Sequence, residues 1–152
     1  MTALIGSTIC KASAMGQKVV EIRWRDMDNF GHVNNSCYLT YLEEARDEYL
    51  TGLLGPDTVH RIVVRRCDIE FVSGLSQDDD TAIASTEVEG IGTSSIKLRE
   101  SIHAGADGRL AARASTVVVH TASDGREAAA PLPEEARAIL EQELERATEA
   151  PA

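Results

Sequence analysis

What this sequence lacks narrows its class before any motif is read. It has no long apolar run: the longest late block is Val117–Val119, far short of the roughly 20 residues that a bilayer-spanning helix needs. The opening MTALIGSTICKASAMG has neither the basic start nor the continuous apolar block of a secretory signal. Cysteines are few and odd in number. Cys10, Cys37 and Cys67 share no CxxC spacing, which argues against a disulfide framework and a zinc ribbon and predicts reduced thiols in a cytoplasmic protein. Positive charge is also scarce, 15 Lys and Arg against 25 Asp and Glu for a net charge of -10. Sequence-independent nucleic-acid binding needs the opposite field. There is no GxSxG, and GIGTSS is not a GxGxxG, so neither a serine-hydrolase elbow nor a dinucleotide loop is supported.

What remains is ordinary globular material, 152 residues with 43% apolar content, enough for one domain with a real core. Residues 1–16 carry Gly, Ser, Thr and Ala without a usable period and read as a loose leader or a short extra strand, ahead of a single domain over 17–152. From Lys18, Val20, Ile22 and Trp24 alternate with Val19, Glu21, Arg23 and Arg25, the period of a strand with one buried face. Asn29 and Gly31 punctuate the chain. Tyr38, Tyr41, Leu42, Ala45 and Tyr49 then form one stripe of a helix of about four turns, with Asn34, Asn35 and Ser36 as cap candidates. Glu43, Glu44, Arg46, Asp47 and Glu48 lie largely off that stripe and read as a solvated or interface face.

After Pro56 the pattern predicts four strands, over 61–72, 81–89, 93–103 and 109–121, with no further helix until the C-terminus. PLPEEARAILEQELERA supplies that helix, with Pro133 at its start and Ala136, Ile139, Leu140, Leu144 and Ala147 on one stripe. One strand, one long helix and four strands imply an α+β fold, an antiparallel sheet packed against that helix. A single sheet on a single helix leaves a face or edge bare, so a homodimer or homotetramer is expected, most cheaply by edge pairing.

The junction DMDNFGHVNNSCYLTYLEEAR is the densest chemistry in the chain. It places Asp26 and Asp28 beside a Gly turn that opens into a helix, whose free N–H groups favour an electron-rich oxygen. This segment resembles the signature of hotdog-fold thioesterases of the 4-hydroxybenzoyl-CoA thioesterase and acyl-CoA thioesterase group. FVSGLSQDD, GTSS, and a DG turn followed by PLP follow in the family's order, so the resemblance runs from Lys18 to the end. It implies a hotdog fold, with the sheet wrapped around one long central helix and a further helix at the C-terminus. The implied activity is hydrolysis of an acyl-CoA, or of an acyl carrier protein thioester, to acid and thiol. No cofactor is implied, coenzyme A being part of the substrate.

The resemblance assigns Asp28 as the carboxylate that attacks the thioester or activates water, without deciding between them. The backbone N–H of Asn35 matches the donor that polarises the carbonyl, and Gly31 frees the turn near the substrate. Asp26 is a supporting neighbour. His32 is either a site participant or a structural turn residue, because Phe30 stands where plant relatives carry the Asn of their triad. Asn34 and Tyr38 are further substrate-binding candidates, Asn34 reading first as a cap. Ser94 and Ser95 match a GxSS position that could line the acyl pocket, although local backbone bonds compete. Gly74 and Asp78 depart from the Pro and Gly usual in the family.

The coenzyme A phosphates need cations. Arg61, Arg65, Arg66, Lys97, Arg99 and Arg113 are available on predicted strands, Arg65 and Arg66 foremost. Asp28, Asp26 and His32 have no second ligand cluster elsewhere, so no metal is expected. The acids at 78–80 read as a solvated turn, and Cys37 as a small buried residue rather than an activated thiol. A non-catalytic acyl-CoA sensor is the rival reading, against which the Asp28 match counts. A hotdog dehydratase lacks its His-containing helix signature here.

Overall fold

A computed structural model of the protein describes residues 16–123 and 128–149, so the expected leader, apart from Gly16, lies outside the described residues. The elements follow as β1 (Gly16–Glu21), α1 (Asn35–Leu54), α2 (Pro56–Val59), β2 (Ile62–Phe71), β3 (Thr81–Ile91), β4 (Ser95–Ala104), β5 (Leu110–His120) and α3 (Glu134–Glu149). The strands form one five-stranded sheet in the order β1-β3-β4-β5-β2, with every neighbouring pair antiparallel. The chain leaves β1 at one edge, runs along the sheet as α1 and re-enters as β2 at the other edge. That crossover is why the helix sits on one face only.

Alternation decides which face. In β4, Ile96, Leu98, Glu100, Ile102 and Ala104 are buried while Lys97 and Arg99 are exposed, because successive side chains point to opposite faces of a sheet. The α1 stripe meets the buried face: Tyr38, Tyr41, Leu42 and Ala45 join Ala82, Ala84, Ile102 and Ala112 in one core. Small residues in the strands leave room for the large ones on the helix. Leu42, 1% exposed, would cost on the order of 2–5 kcal/mol if cut to Ala. Leu140 of α3 closes a second cluster with Leu50, Val88, Leu98 and Val118.

Five expectations are corrected, the first being the acids at 78–80: Asp78 and Asp80 are exposed, but Asp79 is buried in a 3-10 turn and not solvated. Strand β1 stops at Glu21, and Trp24 is 79% exposed instead of in the core. The Asp26 carboxylate takes the Arg23 backbone N–H at 3.1 Å and winds Trp24–Asp26 into a 3-10 turn, a local bond that competes with the ladder. A one-turn helix, α2, follows Pro56, too short to show a period in sequence and placed by a Pro in its first turn and by Gly55 at φ 78°. Helix α1 is 20 residues long, beyond the four turns expected. Finally, Arg46 is buried, not solvated: its guanidinium grips both oxygens of Glu100 at 3.0 and 3.1 Å.

Candidate active site

The turn between β1 and α1 is built around Asp28. Its backbone N–H donates to His32 O at 2.7 Å, and Gly31, at φ 79°, supplies the left-handed residue the reversal needs. The Asp28 carboxylate accepts two backbone N–H groups on the same oxygen, Oδ1, from Phe30 at 2.8 Å and His32 at 3.1 Å. The His32 N–H above all, against slight burial and with the Phe30 N–H helping, holds this carboxyl below the usual range. Oδ2 has no hydrogen-bond donor among the described residues. Asp28 is thus an ionised carboxylate with one oxygen fixed and one open.

The helix start completes the arrangement. Asn34 is the N-cap, its Oδ1 accepting the Ser36 N–H at 3.0 Å and the Ser36 hydroxyl at 2.9 Å, while its own N–H donates to Asp26 O at 2.8 Å. The Cys37 N–H bonds to Asn34 O at 2.9 Å. Among the described residues the Asn35 N–H has no acceptor, as expected for a first helical position, and it sits where the helix dipole is positive.

Asp28, His32 and Asn35 share one cavity of about 220 Å³ with Val33, Tyr38 and the segment 71–74. Tyr38 forms its floor: the ring meets Phe71 edge-on at 5.1 Å and 87°, and the hydroxyl accepts the Leu75 N–H at 3.0 Å. Neither nitrogen of the His32 ring is hydrogen-bonded to a described residue. Asp26 is spent on structure. Burial alone would raise its carboxyl, but hydrogen bonds from Arg23 and Tyr41 more than offset it.

Not every expected site residue arrives. Asn34 does not line the cavity, because its side-chain carbonyl is committed to the cap. Gly31 shapes the turn without lining the cavity. Ser94 and Ser95 sit at the far end of the sheet within one chain: Ser95 pairs with Val119, whereas the cavity wall continues from Phe71, which pairs with Ala112. Arg65 is exposed at a bulge in mid-β2, and Arg66 is paired with Asp68 at 2.7 Å. Arg99, Lys97 and Arg113 are likewise paired with Glu87, Glu89 and Glu70. A larger depression of about 580 Å³ lies among those pairs, on the sheet face away from α1. It holds no free helix end, whereas the smaller cavity lies at the start of α1.

Missed from sequence was the wall at 71–74, which the FVSG string marked only as family-like. The Cys37 thiol packs against Asp26 O at 3.7 Å and burial pushes its pKa up, opposite to activation. Among the described residues no group of three or more His, Cys, Asp or Glu is placed to hold a metal ion, and no helix is long and apolar enough to cross a membrane.

Asp28 and Asn35 thus line one cavity on a sheet laid against a long helix in the hotdog arrangement, and the protein is a thioester hydrolase. The chain belongs to the thioesterase-like superfamily, whose sequence profile matches residues 22–140. Among solved structures it resembles a thioesterase from Thermus thermophilus complexed with coenzyme A and zinc, at 28% identity over 88% of this chain and 96% of that one, TM-score 0.76. A candidate thioesterase from Pseudomonas aeruginosa matches at 26% identity over 81% and 95%, TM-score 0.71. A candidate acyl-CoA thioesterase from Xanthomonas campestris matches at 30% identity over 74% and 97%, TM-score 0.62. No curated protein sequence matches the chain.

Proposed function

We propose that this enzyme hydrolyses an acyl-CoA thioester within the 4-hydroxybenzoyl-CoA thioesterase group, with Asp28 as nucleophile or general base. The observation that carries the reading is the pairing of the open Asp28 oxygen with the unbonded Asn35 N–H in one cavity. The substrate carbonyl oxygen accepts the Asn35 N–H, and Asp28 either attacks the carbonyl carbon or takes a proton from a water that does. Charge developing on that oxygen is met by a donor that needs no rearrangement, an effect typically worth on the order of a hundredfold or more in rate. The thiolate of coenzyme A leaves without a strong acid, and His32, at the cavity lip, orients the ester or the water. Coenzyme A enters as part of the substrate, and no separate cofactor is invoked.

The working form in this proposal is a homodimer joined through β2. That strand is a sheet edge with Val64 and Phe71 exposed, and Val72 beyond its end and Leu39 on the neighbouring helix are exposed too. Such an edge invites pairing. Antiparallel pairing of two β2 edges sets the Ile62 end of one copy beside the Phe71 end of the other. Ser94, Ser95 and the Arg65–Arg66 bulge then approach the Asp28 cavity from the second copy, where they can line the acyl pocket and meet phosphate. The likeness to a thioesterase seen with coenzyme A supports this substrate class, and the free thiols of Cys37 and Cys67 fit a cytoplasmic enzyme.

Thiol release from a panel of acyl-CoAs and acyl carrier protein thioesters, with wild type and Asp28→Asn, tests the proposal. Turnover of acyl-CoA by wild type and its collapse in the variant is the expected result. Tight acyl-CoA binding without any turnover would make the protein a sensor, and turnover of carrier-protein esters alone would move the substrate class.

A further inference from the structure

We infer that Arg109, which lines no part of the cavity, is a positioning residue that sets the gap between the cavity wall and the Asp28–His32 turn. The inference rests on the thioesterase reading of that cavity. Arg109 stands where the β4–β5 hairpin returns, and both terminal nitrogens of its guanidinium are engaged twice. Nη1 and Nη2 donate to the two oxygens of Asp79 at 2.7 and 2.9 Å, Nη1 also to Asp107 Oδ1 at 3.0 Å, and Nη2 to the Gly74 carbonyl oxygen at 2.7 Å. Asp79 is buried and in turn accepts the Ser76 N–H at 2.9 Å. One side chain therefore ties the hairpin, the loop before β3 and the cavity wall together.

Gly74 is the point in the wall that needs such a tie. Its neighbours are sewn down on both sides: the Val72 and Ser73 N–H groups donate to Ala111 O at 2.8 and 3.1 Å, and the Ser73 hydroxyl to Leu110 O at 2.7 Å. On the other side, Leu75 accepts the Val33 N–H at 2.8 Å and donates to the Tyr38 hydroxyl at 3.0 Å. Between them Gly74 has no side chain, and the hydrogen bond its carbonyl accepts comes from Arg109. It also faces the imidazole of His32 with room for one methyl group between them, which added at Gly74 would meet the ring at 3.5 Å. Wherever Gly74 stands, the mouth beside Asp28 is that wide.

Guanidinium geometry matters here because one planar fork serves a carboxylate with two nitrogens and a carbonyl with one of them. An ammonium can replace the charge but not all of those bonds. Released from Arg109, the wall can shift relative to Asp28, and misplacement of about 1 Å at a reacting group can cost on the order of a hundredfold in rate. Binding of the distant nucleotide portion of coenzyme A does not depend on this gap.

The test compares wild type with Arg109→Met and, in case that variant does not fold, Arg109→Lys, reading steady-state kinetics and amide exchange by NMR well below Tm. The expected result is a fall in kcat on the order of 30- to 100-fold with KM within about threefold. The Val33 and Leu75 amides should exchange at least about tenfold faster while Leu98 and Val118 in the sheet keep their protection. Unchanged kcat, or unchanged exchange at Val33 and Leu75, overturns the inference. If wild type releases no thiol from any ester, the functional reading fails by itself. The exchange measurement then decides alone, faster exchange upholding the clamp and unchanged exchange overturning it.

Discussion

Asp28 and Glu100 are two carboxylates at opposite ends of a scale of satisfaction, one bonded by the turn that precedes helix α1 and one by a side chain of that helix. Glu100 lies under the middle of the helix with every side-chain acceptor used: Oε1 takes Arg46 Nε at 3.0 Å and the Thr86 hydroxyl at 3.4 Å, and Oε2 takes Arg46 Nη2 at 3.1 Å and the Thr116 hydroxyl at 2.6 Å. Asp28, at the helix start, has donors on Oδ1 only. A fully bonded, buried carboxylate has nothing left for a substrate, and its worth lies in holding helix to sheet. In the proposed function a half-bonded one is positioned by the bonds it has and reacts through the oxygen it has not committed. On that proposal, burial and satisfaction, more than residue type, separate structural acids from chemical ones.

Substitution should split the two roles cleanly. Asp28→Asn keeps an oxygen for the Phe30 and His32 N–H groups, so it should lower kcat by about a thousandfold with Tm nearly unchanged, as thiol-release assays and thermal melts will show. Glu100→Gln should do the reverse. It leaves Arg46 buried without its charge partner and should cost about 3–5 kcal/mol of folding stability in denaturant titrations, while each folded molecule keeps near wild-type kcat. Replacing both partners, as Arg46→Met with Glu100→Leu, should recover most of that loss. A Glu100→Gln enzyme that stays stable but loses turnover would put Glu100 in the chemistry and undo the contrast.

Smaller effects sharpen the same boundary. Asn34→Ala removes the cap but no cavity-lining group, so it should cost about 1 kcal/mol of stability and alter KM little, measured by urea melts and acyl-CoA kinetics. A rise in KM of tenfold or more would return Asn34 to the substrate. Gly74→Ala puts a methyl in ordinary contact with His32 and should slow turnover only a few fold, since the wall can accept it without a clash.

How much of this was legible in sequence depends on the range of the interactions. Period and turn chemistry are local, so β2 to β5, α1 and α3 were readable from the chain, whereas the choice of Asp28 over Asp26 and of the Asn35 N–H came from the resemblance to hotdog thioesterases and not from spacing. Arg46 was read as solvated because its partner is 54 positions away, on a strand whose own pattern gives no sign that Glu100 faces a helix. Trp24 was placed in the core because alternation continues past the residue at which Asp26 folds the chain into a turn. The cavity wall was missed for the same reason as Arg46: 71–74 meets the Asp28 turn only after the sheet has carried β2 to the opposite edge.

The gentlest test uses pH. Because the His32 and Phe30 N–H groups hold the folded Asp28 carboxyl below its ordinary value, the stability it contributes is present above the unfolded pKa, near 3.9 for an aspartate, and is lost as pH falls through the lower folded one. The same ionised form is the one needed for attack or proton removal. Log kcat/KM should therefore stay flat, within about twofold, from pH 7 down to 5, with an acid limb only below the ordinary aspartate range. Asp28→Glu, whose longer arm cannot keep both backbone bonds, should bring that limb to higher pH at reduced kcat. A wild-type limb near pH 6.5, where histidines ordinarily titrate, would move the base from Asp28 to the imidazole beside it and leave the carboxylate only to hold the turn.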